Sequence, residues 1–536
     1  MSLSPVAALA AIFGHGDDDH PLWLLAIRLN ILLFLAALAV LVVRRAAGLR
    51  RVDAGRHRSV LLALVALSAL GLVPRLLAAS NLLDSGGIPY SRMLTGYRGY
   101  LATAQCYSLF YLFSHRDIEH AILLSRLLGA ATVPVVFALC RALQPRSLVF
   151  PSVAAGLLAL APLHILVSAS DALTVFSGFL CALCWLLVAT GAVDCLVAGV
   201  LGLALLTQVR YENALMVLPA AALLLHRRRG VAAGFCAVAG VAYAWPSLAA
   251  GIVFQDHTEL DRAREILLSG EVLTNPFLAI PFLFGAALLV AMARRPLLAA
   301  GALAPWLVAG ALALRTAESP HTVARGFSNW LVPLVIAAGY GLAQLAGRGR
   351  PGQVALALCL AYFAAKPVRY AGALRTRYLE MAEHDAFAAM LSAEPDGAVA
   401  VIVPDDERLR RGTGATVETM NAYRSIRRAL PRPGAPLVGL TRFLERGVDQ
   451  CEQGGCLFFA GLPCSVQSLD PYAPSQCGQL AAERTLELVA RTTVTAAPFE
   501  RCAIQVGGLR QSVCAPTERT VDFTLYRVGR GAGGGR

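Results

Sequence analysis

Long apolar runs separated by short polar stretches fill the first two thirds of the chain. Between residues 22 and 365 these runs are about 17–22 residues long, enough to cross a hydrocarbon core of about 30 Å as a helix. The runs at residues 195–209, 213–225 and 353–365 are shorter and could instead be tilted or re-entrant segments. The pattern predicts twelve transmembrane helices, at residues 22–43, 60–79, 121–140, 148–169, 172–190, 195–209, 213–225, 231–250, 276–293, 297–314, 330–346 and 353–365.

From residue 366 onward the pattern becomes that of a globular domain with mixed polar and apolar positions. Residues 378–393 have helical periodicity, and short apolar runs typical of strands occupy residues 399–403, 457–460 and 523–528. We therefore predict a small α/β domain over residues 366–530. The glycine-rich residues 531–536 predict a disordered tail.

Composition narrows the class of protein. The chain has 536 residues, of which 57% are hydrophobic and 15% charged. Soluble domains average about 45–50% apolar and about 25% charged residues, so a soluble enzyme and a disordered chain are excluded. The net charge of +13 could suggest a nucleic-acid-binding protein, but a bilayer protein also concentrates basic residues on one side.

The distribution of charge along the chain resolves this ambiguity and predicts the topology. Residues 44–58 contain six Arg and one Asp, and short loops rich in Arg stay in the cytoplasm. From this loop onward, successive loops are assigned alternately to the outer and the inner side. The inner loops of residues 1–365 then hold 15 basic and 2 acidic residues, and the rest of that range holds 11 basic and 14 acidic residues. We therefore expect the N-terminal tail (residues 1–21) and the C-terminal domain to be extracytoplasmic, and we expect no nucleic-acid partner.

Cysteine usage agrees with an outer C-terminal domain. Six of the 13 Cys lie within residues 451–514, and an even number in a short stretch indicates up to three disulfides. Disulfides persist in oxidising compartments. A zinc site is the alternative, but these six Cys form no Cys-x-x-Cys pair. The six are Cys451, Cys456, Cys464, Cys477, Cys502 and Cys514.

Ionisable side chains collect at the predicted outer surface, in loops at residues 80–120, 251–275 and 315–329. The first loop follows Arg75 and carries Asp84, Tyr90 and Arg92. Charged groups at the edge of a bilayer are costly and often functional. The alternative is a solvated loop with interfacial aromatic residues, and Arg75 could simply extend its charge to the lipid headgroups.

Several motifs occur in an order that resembles the GT-C membrane glycosyltransferases, a group that includes protein O-mannosyltransferases and aminoarabinose transferases. The similarity begins with Arg75 and Leu76 at the end of a helix and Asp84 in the loop beyond it. It continues through residues 125–129 (SRLLG), 161–171 (APLHILVSASD), 202–212 (GLALLTQVRYE) and 321–327 (HTVARGF). The resemblance implies a GT-C-like fold and transfer of a sugar from a polyprenyl-phosphate donor at the outer face of a bacterial inner membrane.

The resemblance also implies roles for particular residues. Asp84 would be the base that takes a proton from the acceptor hydroxyl. Arg75, Arg210 and Arg325 would hold the phosphate, with His321 assisting, and the implied acceptor is a glycan, a lipid or a protein. Further substrate contacts would come from Tyr90, Arg92, Asp171 and Glu212.

Other interpretations remain open at this point. No metal ligand is assigned, although a divalent cation could take part. Arg126 and Asp171 could pair between neighbouring helices for purely structural reasons. Twelve crossings would also suit a secondary transporter, and the cysteine-rich domain would suit a non-catalytic scaffold of envelope assembly.

Overall fold

A helical region and a smaller domain built on a sheet make up the computed structural model. It describes residues 21–49, 58–81, 118–170, 173–209, 211–249, 331–369, 371–393, 398–404, 435–446, 451, 455–465, 476–496 and 518–529. The helices of the first region are α1 (Pro21–Leu49), α2 (Arg58–Leu77), α3 (Ile118–Leu143), α4 (Val149–Leu160), α5 (Pro162–Ser168), α6 (Leu173–Thr190), α7 (Val193–Val209), α8 (Val217–His226), α9 (Gly230–Ala249), α10 (Leu331–Ala346) and α11 (Arg350–Arg369).

The apolar runs that fall within the described residues all form helical structure. The run predicted as one helix at residues 148–169 forms two helices, α4 and α5, and the run at residues 213–225 begins in the 3-10 helix Tyr211–Met216. Among the described residues, two helical segments are long and apolar enough to cross a membrane by length and composition, namely α2 and residues Ile122–Leu143 of α3. A third candidate is the pair α4 and α5, which is bent by 59° at its junction. The predicted runs at residues 276–293 and 297–314 lie outside the described residues, so the number of twelve crossings stays a prediction.

The surface of the helical region is apolar where a soluble protein would be polar. Val43 is 70% exposed, Val231 is 81% exposed and Phe235 is 69% exposed, while Val133 and Ala154 are completely buried in the core between the helices. Large exposed apolar surfaces are rare on soluble monomers and suit contact with lipid. The distribution of apolar side chains therefore agrees with a helical membrane protein.

Three of the loops predicted to be cytoplasmic begin or end at the same end of the bundle. Arg44, at the end of α1, pairs with Asp194 at the start of α7, with 3.6 Å between Nη1 and Oδ2. Arg227 donates a hydrogen bond to the carbonyl of Ala189, near the end of α6. The contacts support a common side for these loops, and the assignment of that side to the cytoplasm stays a prediction.

The C-terminal domain is an α/β sandwich, as the sequence predicted. Its sheet has the strand order β2-β1-β3-β5-β4, in which β2, β1 and β3 are parallel to one another and β5 pairs antiparallel with both β3 and β4. The strands are β1 (Ala400–Val403), β2 (Leu437–Gly439), β3 (Cys456–Ala460), β4 (Leu486–Ala496) and β5 (Arg519–Val528). The helices from residue 371 onward are α12 (Ala371–Arg375), α13 (Leu379–Ser392), α14 (Leu440–Arg446), α15 (Leu462–Ser465) and α16 (Gln476–Glu483).

Helices cover both faces of this sheet. On one face, Phe387 of α13 packs against Phe459 of β3 with a ring-centroid distance of 4.8 Å. On the other face, Phe443 of α14 and Leu480 of α16 pack against Phe458. Successive side chains of β3 therefore point alternately into the cores on the two faces of the sheet, as expected for a central strand that is buried on both sides.

Two disulfides stabilise this domain. They join Cys451 to Cys456 and Cys464 to Cys477. Both are among the pairs that the cysteine cluster allowed, and the remaining Cys502 and Cys514 lie outside the described residues. The described cysteines of the helical region, including Cys181 and Cys184, are free thiols.

Candidate functional site

The described residues contain only part of the site predicted from the sequence. Arg75 is the one predicted site residue whose side chain is described, and Glu212 lies on a 3-10 helix, Tyr211–Met216, between α7 and α8. The other predicted residues lie outside the described part of the chain. They are Asp84, Tyr90, Arg92, Asp171, Arg210, His321 and Arg325.

Arg75 lies on the last turn of α2 and is completely buried. Its Nε donates to Ser168 Oγ at 3.3 Å, and its Nη2 donates to the Leu158 carbonyl at 3.2 Å and to Nδ1 of His164. Its Nη1 donates to the carbonyls of Gly71 and Ala159. A guanidinium has five N–H donors, and these five contacts use all of them.

The break between α4 and α5 explains why an arginine is needed there. Pro162 has no backbone N–H, so the helical hydrogen bond to the Leu158 carbonyl cannot form. The Leu158 carbonyl accepts instead a long hydrogen bond of 3.4 Å from the Ala161 N–H. Poorly satisfied carbonyls such as those of Leu158 and Ala159 cost on the order of several kcal/mol away from water. Arg75 donates to both and thereby stabilises the bend. It is buried in the protein and does not extend toward lipid headgroups.

His164 and Ser168 complete this buried polar cluster, and neither was predicted as a site residue although both lie in the APLHILVSASD motif. Because Arg75 donates to Nδ1 of His164, the neutral ring carries its proton on Nε2. Ser168 Oγ donates to the His164 carbonyl at 2.5 Å. The motif therefore supplies two of the five acceptors of Arg75, His164 Nδ1 and Ser168 Oγ, from a single short helix, α5.

The SRLLG motif packs against the same cluster. Arg126 donates to the Ala78 carbonyl at 2.8 Å and to Ser80 Oγ at 2.9 Å, so it satisfies the chain just beyond the C-terminal end of α2. Gly129 lies so close to α5 that a β-carbon there would overlap Ser168 Oγ and lie 3.3 Å from Nε of Arg75. This motif fixes α3 against the helix ends from which the first outer loop begins.

The first predicted outer loop begins next to the connection between two predicted helices that contains Asp171. Asn81 forms a parallel β-bridge with Ser170, and its backbone N–H donates to the Ala169 carbonyl at 3.0 Å. Asp84 follows Asn81 by three residues, so chain geometry keeps their Cα atoms within about 11 Å of each other. Asp171 directly follows Ser170. The bridge therefore brings the origins of the Asp84 and Asp171 segments together.

A second polar contact holds the region around Glu212. Asn213 is completely buried, and its Nδ2 donates to Ser177 Oγ at 2.6 Å and to the Leu206 carbonyl at 2.9 Å. Trp185 Nε1 donates to the Met216 carbonyl at 2.9 Å. These bonds tie the 3-10 helix to α6 and α7, and they fix the backbone that carries Glu212.

Metal ligands do not gather within the described residues, where no group of three or more His, Cys, Asp or Glu side chains could hold an ion. The predicted acidic residues and His321 lie outside this part of the chain. The candidate ligands for a divalent cation therefore lie in those segments.

Comparisons with known proteins show that the chain is similar to solved structures. No protein-family model and no curated protein matches the chain. Two similar structures are crystal structures of ArnT from Cupriavidus metallidurans, one bound to undecaprenyl phosphate and one in the apo state. Each is 13% identical with a TM-score of 0.46, and the matches cover 87% and 88% of this chain and 98% of the ArnT chains. ArnT is an aminoarabinose transferase of the GT-C group.

Proposed function

We propose that the chain is an integral membrane glycosyltransferase. It transfers a sugar from a polyprenyl-phosphate donor to a hydroxyl of a glycan, lipid or protein acceptor. The reaction takes place at the extracytoplasmic face of a bacterial inner membrane.

The bridge between Asn81 and Ser170 is the observation that carries this proposal. The motifs that resemble the GT-C group are far apart in the sequence, yet residues from three of them surround one end of the bundle. Arg75, Gly129 and Ser168 are in contact there, and the Asp84 and Asp171 segments begin beside them. A shared end of the bundle is what a single active site built from these motifs would require.

The proposed reaction needs a base and a site for an anionic leaving group. The acceptor oxygen attacks the anomeric carbon while the bond from that carbon to the phosphate oxygen breaks, and the bonding electrons leave with the phosphate. Asp84 takes the proton of the acceptor hydroxyl, and general base catalysis of this kind contributes about 10²–10⁴-fold. Attack opposite the leaving group inverts the configuration of the sugar.

Arginine suits the leaving phosphate because its forked donors match two phosphate oxygens. Arg210 and Arg325 take this role in the proposal, with His321 beside them. Tyr90, Arg92, Asp171 and Glu212 supply hydrogen bonds to the sugar. Arg75 has all five donors engaged within the protein, so its proposed role is to hold the α4–α5 break that underlies the site.

The exposed apolar helices suit a donor with a lipid tail. A polyprenyl chain remains in the bilayer while its phosphate lies at the interface, so the donor reaches the site from the membrane. The apolar surfaces of α1, α2 and α9 provide such a boundary with lipid.

Transfer measured with the purified protein in lipid nanodiscs tests the proposal. We expect a polyprenyl-phosphate sugar to be consumed and its sugar to appear on an acceptor, and Asp84→Asn to lower kcat by about 10²-fold or more. Asp194→Asn is a matched control, since this carboxylate pairs with Arg44 at the other end of the bundle. Full activity of Asp84→Asn would refute its role as the base, and solute uptake into liposomes without any transfer would favour a transporter.

A further inference from the structure

Asn81 connects three separate segments of the chain. It lies just past the end of α2 and is 1% exposed. Its backbone N–H donates to the Ala169 carbonyl, which joins it to the end of α5. Its side chain contacts the connection between α12 and α13, almost 300 residues later in the chain.

The contacts with this connection use both ends of the amide group. Nδ2 of Asn81 donates to the Thr376 carbonyl at 3.1 Å, and Oδ1 accepts a hydrogen bond from the Tyr378 backbone N–H at 3.1 Å. The Ala79 N–H donates to the Leu374 carbonyl at 2.8 Å, which adds a third bond between the same two segments. A side chain that both donates and accepts is needed here, and a carboxylate or an alkyl group cannot replace it.

The connection is in turn fixed to the C-terminal domain. Tyr378 immediately precedes α13, and Arg377 pairs with Asp385 on that helix at 2.6 Å. Oε1 of Glu383, also on α13, accepts a hydrogen bond at 2.6 Å from the N–H of Leu462, just past the end of β3. The carboxyl ends of the parallel strands therefore lie on the side of the sheet from which the connection to Asn81 begins.

We propose that Asn81 is a positioning residue that couples the C-terminal domain to the first outer loop. Through Thr376 and Tyr378 it holds the origin of the Asp84 segment at a fixed place relative to that domain, and through Ala169 and Ser170 it holds the same origin next to the Asp171 segment. The C-terminal domain thereby takes part in setting the geometry of the site. This inference rests on the proposed glycosyltransferase function.

A loss of this coupling should affect turnover more than binding of the lipid donor. The donor is held by contacts with the membrane region, whereas catalysis depends on the position of Asp84 relative to the acceptor. A displacement of about 1 Å in such a group can cost about 10²-fold in rate. We expect Asn81→Ala to lower kcat by at least about tenfold while the KM for the lipid donor changes little.

Asn30→Ala is a matched control for the loss of a buried amide. Asn30 is also buried, and its Nδ2 donates to the Leu201 carbonyl at 3.4 Å, between α1 and α7 and away from the connection. We expect Asn30→Ala to keep the kcat of the wild type at temperatures where both proteins are folded. Equal losses of kcat in Asn30→Ala and Asn81→Ala, or an unchanged kcat in Asn81→Ala, would overturn the proposal.

Asn81→Asp provides a second variant that separates positioning from folding. An ionised carboxylate still accepts from Tyr378 but cannot donate to Thr376, and a protonated carboxyl can do both. The ratio of kcat in Asn81→Asp to kcat in the wild type should therefore rise as the pH is lowered. A ratio that stays constant or falls would contradict the role of the Thr376 bond.

Hydrogen exchange distinguishes failure of this inference from failure of the proposed function. In Asn81→Ala we expect faster exchange at the Tyr378 N–H, which loses its acceptor, and at the N–H of residue 81, which bonds to the Ala169 carbonyl. The measurement uses the full chain in nanodiscs. Faster exchange at both places supports the coupling, whatever the activity of the wild type. An absence of sugar transfer by the wild type would refute only the proposed glycosyltransferase function. A change confined to residues 374–378 would overturn the coupling whatever the activity.

Discussion

Gly129 of α3 lies directly against Ser168 of α5, and no larger residue fits between the two helices. A β-carbon at position 129 would overlap Ser168 Oγ and lie 2.7 Å from its Cβ. Ser168 cannot move away freely, because its hydroxyl accepts from Arg75 and donates to the His164 carbonyl. The close approach of these helices therefore depends on the absence of a side chain at position 129.

We expect Gly129→Ala to destabilise the protein by about 1–3 kcal/mol, the usual cost of adding atoms to a well-packed interior. Thermal unfolding in detergent measures this change. Gly156→Ala is the control, since its new methyl group would meet no atom within 4 Å and alanine favours a helix over glycine by about 1 kcal/mol. If both variants unfold at the same temperature, the contact between α3 and α5 is looser than described.

Removing the opposing side chain should relieve the overlap. We expect Ser168→Gly to be destabilising alone, because it removes the hydroxyl that Arg75 and the His164 carbonyl share. In the presence of Gly129→Ala, its additional cost should be smaller, and the two changes should be non-additive by about 0.5–3 kcal/mol. Strict additivity in this double-mutant cycle would show that the two positions do not interact.

Replacement of Arg75 should reduce the amount of folded protein. Arg75→Met removes the side-chain donors of the Leu158 and Ala159 carbonyls, and a buried group left unsatisfied costs about 1–3 kcal/mol. Arg75→Lys should recover only part of this loss, since an ammonium has three donors and no fork. Size-exclusion chromatography before and after heating compares these variants with the wild type.

The matched control for Arg75 is Arg141→Met. Arg141 lies near the end of α3 and donates to the Ser147 carbonyl at 3.3 Å. We expect Arg141→Met to reduce the amount of folded protein much less than Arg75→Met does. A stable Arg75→Met protein whose KM for the lipid donor is strongly raised would instead support direct binding of phosphate by Arg75.

Several features of the fold could be predicted because they depend on local sequence. The apolar runs predict the helices, and short apolar segments predict β1, β3 and the C-terminal half of β5. The run at residues 148–169 was predicted as one helix but forms two, and the bend at Pro162 is stabilised by Arg75 from a distant helix. Strand β4 was missed because it is polar and largely exposed, so that its pairing with β5 defines it.

The candidate site was harder to predict, because it also depends on contacts between distant parts of the chain. Asp84 and Arg75 could be singled out because charges near a membrane are costly. Asn81 gave no such signal, since an asparagine beyond a helix end is ordinary and its partners are backbone groups at Thr376 and Tyr378. Backbone partners leave no pattern in a sequence, so only the folded chain identifies the residue.

The disulfides predict a specific pattern of thiol reactivity. We expect Cys451, Cys456, Cys464 and Cys477 to resist a maleimide reagent in the denatured protein until a reductant is added. Cys464→Ser should destabilise the C-terminal domain by about 2–4 kcal/mol, the typical contribution of a disulfide. Cys359→Ser serves as the control because Cys359 is a free thiol. Labelling of the four cysteines without reduction would contradict both the disulfides and an oxidising compartment.

The ion pair between Arg377 and Asp385 predicts how the connection near Asn81 responds to acid. Partial burial alone would raise the pKa of Asp385, but neighbouring His384 and Arg377 outweigh it and hold this pKa below its ordinary value. The ion pair therefore contributes its stability at a pH above the pKa of the unfolded carboxyl, about 3.9. This contribution is lost as the pH falls through the lower pKa of the folded state.

Asp385→Asn should accordingly cost about 0–1 kcal/mol near pH 7, since both side chains are about half exposed. The difference in unfolding temperature between Asp385→Asn and the wild type should shrink as the pH is lowered below about 4. In an Arg377→Gln background the cost of Asp385→Asn near pH 7 should be smaller, because one of the partners of the carboxylate is gone. A difference that grows on acidification would mean that burial dominates at Asp385, and that Arg377 does not fix the residues on which Asn81 depends.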